Sequence, residues 1–99
     1  MDTSTSEPQN PTLFATLVGQ VVVLDLKSSY VCLGTLAGFD REFLTLTDAD
    51  LHDFRDSKAT RELYVFDSVR LGIRRNRARV LIRRDEIVAV TRFDEIAES

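Results

Sequence analysis

Seven of the thirteen basic residues of this chain fall within fifteen consecutive positions that hold no acid: Arg70, Arg74, Arg75, Arg77, Arg79, Arg83 and Arg84. A guanidinium offers a rigid fork of donors that fits phosphate or carboxylate. The cluster therefore suits either phosphate binding or pairing with carboxylates of this chain or a neighbouring subunit, and both readings stand. The formal net charge of -3 does not exclude the first, because salt screens fields beyond about 8 to 10 Å and a local cluster keeps its own potential. Asp48, Asp50, His52, Asp53 and Asp56 form an acidic counterpart with the composition of a cation site. Their spacing fails the calcium-loop template, whose sixth and twelfth positions should be Gly and Glu but are Asp53 and Ala59, and they read as a solvated loop. His52 is the single histidine, and no nucleophile can be assigned to it from sequence. A glycine-rich phosphate loop is also absent from the sequence. These residues call for no catalysis, no metal and no cofactor.

At 99 residues and 43% hydrophobic content, one compact domain with a modest core is expected, and oligomerisation would help it. Cys32 has no partner for an internal disulfide and sits in an apolar run, so it reads as core, in keeping with a reducing compartment or with simple indifference to redox. No basic segment followed by an apolar run opens the chain, and no stretch approaches the ~20 apolar residues of a membrane span. A soluble, cytoplasmic protein with no membrane partner is the expectation.

Several elements must position the arginines. Residues 1–11 are polar and contain both prolines, which predicts a disordered arm. Thr12 can cap a short helix carrying Leu13, Phe14, Leu17 and Val18, ended by Gly19. Gln20 to Lys27 and Tyr30 to Phe39 alternate as strands, and the glycines at 34 and 38 predict a sharp bend or close backbone approach. Asp40 and Arg41 turn the chain into a third strand, Glu42 to Thr47. Asp48 to Asp56 reads as a polar loop anchored by Leu51 and Phe54.

Beyond that loop, Ser57 or Thr60 can cap a helix through Leu71, with Leu63, Phe66 and Val69 at helical spacing and Gly72 past its end. The run Leu63-Tyr64-Val65-Phe66 keeps a strand open as the alternative. Ile73 to Arg79 reads as a basic connection into a final hairpin, Val80 to Val90, cornered by Arg83-Arg84-Asp85-Glu86. Phe93 and Ile96 are possible anchors of a polar tail.

A short helix followed by bent antiparallel strands suggests a mainly β, SH3-like barrel of about five strands, with an inserted helix. The residues also carry a resemblance. Leu17-Val18-Gly19-Gln20-Val21-Val22-Val23, Gly34-Thr35-Leu36-Ala37-Gly38-Phe39-Asp40 and Leu44-Thr45-Leu46-Thr47-Asp48-Ala49 resemble the first motif of the Sm-like family. Val80-Leu81-Ile82-Arg83-Arg84-Asp85-Glu86-Ile87 resembles the second, whose usual core is Ile-Arg-Gly-Asn. The chain then looks like a divergent, bacterial-type member, with one domain over residues 12–96, an insertion at about 50–76 and a tail at 97–99.

That resemblance implies a five-stranded bent sheet, homo-oligomeric rings of six or seven subunits closed through edge strands, and single-stranded RNA bound at the pore. Asp40 matches the family's Asp and Arg83 its Arg. Phe43 or Leu44 stands where the family has Asn, Arg84 replaces its Gly, and Asp85 the following Asn. Phe43 then either stacks on a base or fills the core. The implied RNA site is Asp40, Phe43, Arg83, Arg84 and Asp85, with Arg70, Arg74, Arg75, Arg77 and Arg79 as a basic patch. The substituted pocket leaves a second reading, a ring that has lost its RNA site and serves protein contacts.

Overall fold

The computed structural model describes residues 12–56 and 60–97. The expected arm at 1–11 and the possible cap Ser57 lie outside them, as do the last two residues of the tail. Five strands follow the short helix α1 (Leu13–Leu17): β1 (Val21–Leu26), β2 (Tyr30–Phe39), β3 (Phe43–Asp53), β4 (Arg77–Arg83) and β5 (Ile87–Arg92), with α2 (Arg61–Leu71) between β3 and β4. All pairings are antiparallel, in the order β4-β3-β2-β1-β5.

This order corrects the expected final hairpin. β4 pairs with β3 and β5 with β1, so Arg84–Glu86 is a 3₁₀ turn joining the two outermost strands. Alternation revealed the strands, but carries no information about which strand pairs with which.

β1 and β2 have both faces covered. On one face Val22, Leu24, Cys32 and Leu36 pack with Leu44, Leu46 and Ile82, closed by Phe14 and Leu17 of α1. On the other, Val23, Val31 and Leu33 pack with Val65, and Tyr64, Phe54, Phe93 and Ile96 complete a second core. Phe93 and Ile96 are thus anchors, as expected. Burial on both faces explains the near-continuous apolar runs of these strands.

The predicted bend is present in β2, whose register against β3 shifts between Leu33 and Thr35 and again between Leu36 and Gly38. Gly34 is required by close approach: a Cβ there would lie 3.0 Å from the Ala49 Cβ and 3.1 Å from the Thr47 oxygen. At Gly38 an added Cβ meets open space.

The expected polar loop is the second correction, since β3 continues through Asp48 to Asp53. Asp48 takes a left-handed φ of 49°, one of the few non-glycine residues that tolerates it, and the chain resumes pairing with Asp50 opposite Leu33. Asn76 completes the ladder. Its amide donates to the Leu51 oxygen and to Asp50 Oδ1, both at 3.1 Å, while its own Oδ1 accepts from the Leu51 N–H at 3.0 Å. A side-chain amide standing in for a strand leaves no apolar alternation to detect.

α2 is a helix, capped by Thr60, whose hydroxyl accepts from the Leu63 N–H at 3.1 Å, and closed by Gly72 at φ 97°. Its buried positions are Val65 and Ser68, whereas Leu63 and Val69, expected on the buried side, are exposed. Apolar residues surround this helix, so spacing alone does not select a face. Ser68 tolerates burial by donating to the Tyr64 oxygen at 3.1 Å. β4 begins at Arg77, inside the segment read as a connection.

Candidate nucleic-acid interface

The turn between β2 and β3 is built by Asp40. Its Oδ1 accepts from the N–H groups of Phe43 and Glu42, each at 2.8 Å, and these bonds hold its carboxyl below the usual carboxylate range. Such side-chain-to-backbone bonding is why Asp favours turns. The 3₁₀ turn after β4 docks against this one. The Arg84 N–H donates to the Glu42 oxygen at 2.8 Å, and its Nη1 donates to the Asp40 oxygen at 2.6 Å.

Arg84 also lies with its Cζ 4.8 Å from the Phe14 ring centroid, and Phe14 sits 5.9 Å from the Phe39 ring. One guanidinium thus connects the N-terminal helix to the Asp40 turn.

Arg83 behaves differently. It is exposed and, among the described residues, pairs only with Asp85, Nη2 to Oδ2 at 3.1 Å and Nε to Oδ1 at 3.3 Å. The pairing raises the arginine's affinity for its proton and lowers the Asp85 carboxyl's. An exposed pair of this kind is weak in water, so an incoming phosphate can exchange for Asp85. Arg41, Glu42, Arg83, Arg84 and Asp85 line an open cleft of about 600 Å³. Phe43 is half-buried beside it, opposite Arg83 in the β3–β4 register and outside both cores.

The five residues expected to form the RNA site are therefore brought together, with divided tasks. Arg83, Arg84 and Asp85 line the cleft, Asp40 builds the turn beside it, and Phe43 follows that turn at the start of β3. Arg41 was missed. Its sequence signal is its place beside Asp40, at the centre of the turn.

The basic patch does not converge on the cleft. Arg70 ends α2, Arg74 and Arg75 lie in the link, and Arg77 and Arg79 occupy β4, all exposed. Among the described residues the arginine ion pairs are Arg55–Asp53, Arg61–Asp25, Arg83–Asp85 and Arg92–Asp94. None involves this patch.

The acidic segment is structural. Asp53 accepts from Arg55 and Ser29, which holds its carboxyl far down, and His52 stacks on Tyr64 at 4.0 Å. Asp50 is buried, which pushes its carboxyl up despite the opposing His52 and Arg74. Among the described residues, no group of three His, Cys, Asp or Glu is placed to hold a metal. Burial pushes the Cys32 thiol up to about 12, keeping it protonated and unreactive. Among the described residues no helix is long and apolar enough to cross a membrane.

No family model and no curated protein matches the sequence. Solved structures do match the fold. An Sm protein of Pyrococcus abyssii, solved in complex with a uridine heptamer, superposes with a TM-score of 0.56 at 18% identity, covering 81% of this chain and 92% of that one. A heptameric archaeal Sm protein gives 0.50 at 16% identity, over 80% and 93%. An Sm-like protein of Archaeoglobus fulgidus gives 0.55 at 15% identity, over 91% and 99%. The chain has the Sm-like fold, a five-stranded bent antiparallel sheet with an N-terminal helix.

Proposed function

We propose that the protein is an Sm-like oligomeric ring subunit that binds single-stranded RNA, without catalysing a reaction, through the cleft between the β2–β3 turn and the 84–86 turn. One observation carries this reading: two turns about forty residues apart in sequence meet at an open cleft lined by Arg41, Arg83 and Arg84. Arg83 and Arg41 contact phosphate, and Phe43 offers a ring for base stacking, worth about 1 to 3 kcal/mol per base in such sites. The solved relatives, one with uridine RNA and one heptameric, support the same reading.

Ring assembly is supported by the two open edges. β4 and β5 are the outermost strands, and each carries an exposed apolar residue, Leu81 and Val88. Pairing β4 of one copy with β5 of the next covers edges that would otherwise aggregate.

A second reading, a ring that has lost RNA binding and serves protein contacts, is favoured by the Arg84 side chain, which is committed to Asp40 and Phe14. Fluorescence anisotropy with labelled oligo-uridine and oligo-adenine separates the two. Binding that weakens steeply with salt supports the RNA reading; no binding at low salt supports the second.

A further inference from the structure

The arginines at the start of β4 stand away from the cleft. Arg77 and Arg83 occupy the two ends of that strand, about 20 Å apart. Arg74, Arg75, Arg77 and Arg79 are exposed, and none is ion-paired among the described residues. The other open edge carries the opposite charge at one end. Asp94 and Glu95 follow β5 directly and are exposed. Asp94 accepts from Arg92 at 2.8 Å, whereas Glu95 has no ion-pair partner among the described residues.

The 84–86 turn decides how these two edges meet in a ring. In every copy β4 runs towards this turn and β5 runs away from it. Rotational symmetry sets all such turns at one radius and height, so β4 of one copy lies antiparallel to β5 of the next. The strands overlap fully in two registers, with Arg92 opposite Arg77 or opposite Ala78. Counting on past the strand ends sets Glu95 opposite Arg74 or Arg75, and Asp94 opposite Arg75 or Asn76. Arg75 thus faces a carboxylate in both registers, across the roughly 5 Å that separates antiparallel partners.

We propose that Arg75 forms an ion-pair clamp with Asp94 and Glu95 of the partner subunit, and that this clamp selects head-to-tail pairing between copies of this chain. The inference rests on the ring reading above and names the charges that direct it. A two-fold pairing of β4 with β4 would set arginine rows against each other, and one of β5 with β5 would oppose carboxylates. Like charges brought together at an interface cost several kcal/mol, so the pattern disfavours both symmetric dimers. The arginine cluster accordingly divides by position, Arg83 serving the cleft and Arg75 the neighbouring copy at the far end of the strand.

The test uses two full-chain variants, Arg75→Glu and the double variant Asp94→Lys/Glu95→Lys, followed by light scattering. Each alone sets like charges across the interface and should dissociate at a protein concentration about tenfold higher than wild type, or more. An equimolar mixture restores opposite charges at every contact and should regain an oligomer containing both. Wild type should also dissociate more readily as salt rises from roughly 0.05 to 0.5 M, because the clamp is exposed to screening.

Wild-type mass in both variants overturns the clamp while leaving the ring intact, and a mixture that stays dissociated overturns it as well. If a variant loses its native circular dichroism, the wild-type response decides, and an assembly indifferent to salt overturns the clamp. A wild-type monomer at every concentration removes the ring reading and the clamp together.

Discussion

Arg84 donates through Nη1 to the main-chain oxygen of Asp40 at 2.6 Å, across 44 residues of sequence. The same side chain covers the Phe14 ring, so one residue holds the two turns and the N-terminal helix in register. Arg84→Ala should destabilise the fold by about 1 to 2 kcal/mol in urea melts, and hydrogen exchange should show α1 opening first. Arg84→Lys should restore only part of this, because an ammonium lacks the planar fork that reaches both partners.

Gly34 and Gly38 make a matched pair on one strand. Gly34→Ala should cost about 1 to 3 kcal/mol, since its Cβ would press on Ala49 and the Thr47 oxygen. Gly38→Ala, placed in open space, should be neutral or stabilising by up to about 1 kcal/mol through the unfolded state. Equal loss in both variants in denaturant unfolding would refute this reading of the bend.

Burial raises the Asp50 carboxyl above its ordinary 3.8, so its protonated form is favoured in the folded protein. The associated stability is complete below 3.8 and is lost as pH rises through the raised folded value. Asp50→Asn keeps an acceptor for Asn76 and removes the buried charge. Its stability relative to wild type should therefore grow with pH across that window, as thermal unfolding at a series of pH values would reveal. A difference that shrinks with rising pH would contradict the assignment.

Under the proposed RNA reading, the Arg83–Asp85 pair competes with RNA for the same guanidinium. Asp85→Ala should tighten oligo-uridine binding a few-fold. Arg83→Ala should weaken it about tenfold and reduce the salt slope. Tighter binding in Arg83→Ala would remove Arg83 from the RNA site.

Leu81 on β4 and Val88 on β5 are 50% and 66% exposed on the two outermost strands, where edge pairing in the proposed ring would cover them. Leu81→Asp or Val88→Asp should lower the solution mass from an oligomer towards one chain, measurable by light scattering. A wild-type monomer would sink the ring reading itself.

Much of this was legible in the sequence because local chemistry and global structure agree. Thr60 and Gly72 bracket α2 as their side-chain oxygen and positive φ require, and the β2 strand ends where Asp40 can turn it. The continuation of β3 was not legible, because Asp48, Asp50 and Asp53 resemble a solvated loop. Their place in the ladder depends on Asn76, some 25 residues away. Likewise, the cleft required knowing that the 84–86 turn reaches the Asp40 turn, a long-range contact that no local pattern encodes. The arginine count did not distinguish Arg84, spent inside the fold, from Arg79 and Arg83, which are exposed.

The two strands at opposite ends of the sheet order are tied together by residues 84–86 alone. Three residues reach about 10 Å at full extension, so the sheet cannot flatten without breaking this clasp. The mutual angle of the two edges is a mechanical property of one short tether, backed by the room that Gly34 leaves at the bend. A few glycines inserted at the clasp would let that angle wander, and an edge-to-edge assembly with no fixed turn per subunit has no reason to close on itself. It would grow as an open filament instead.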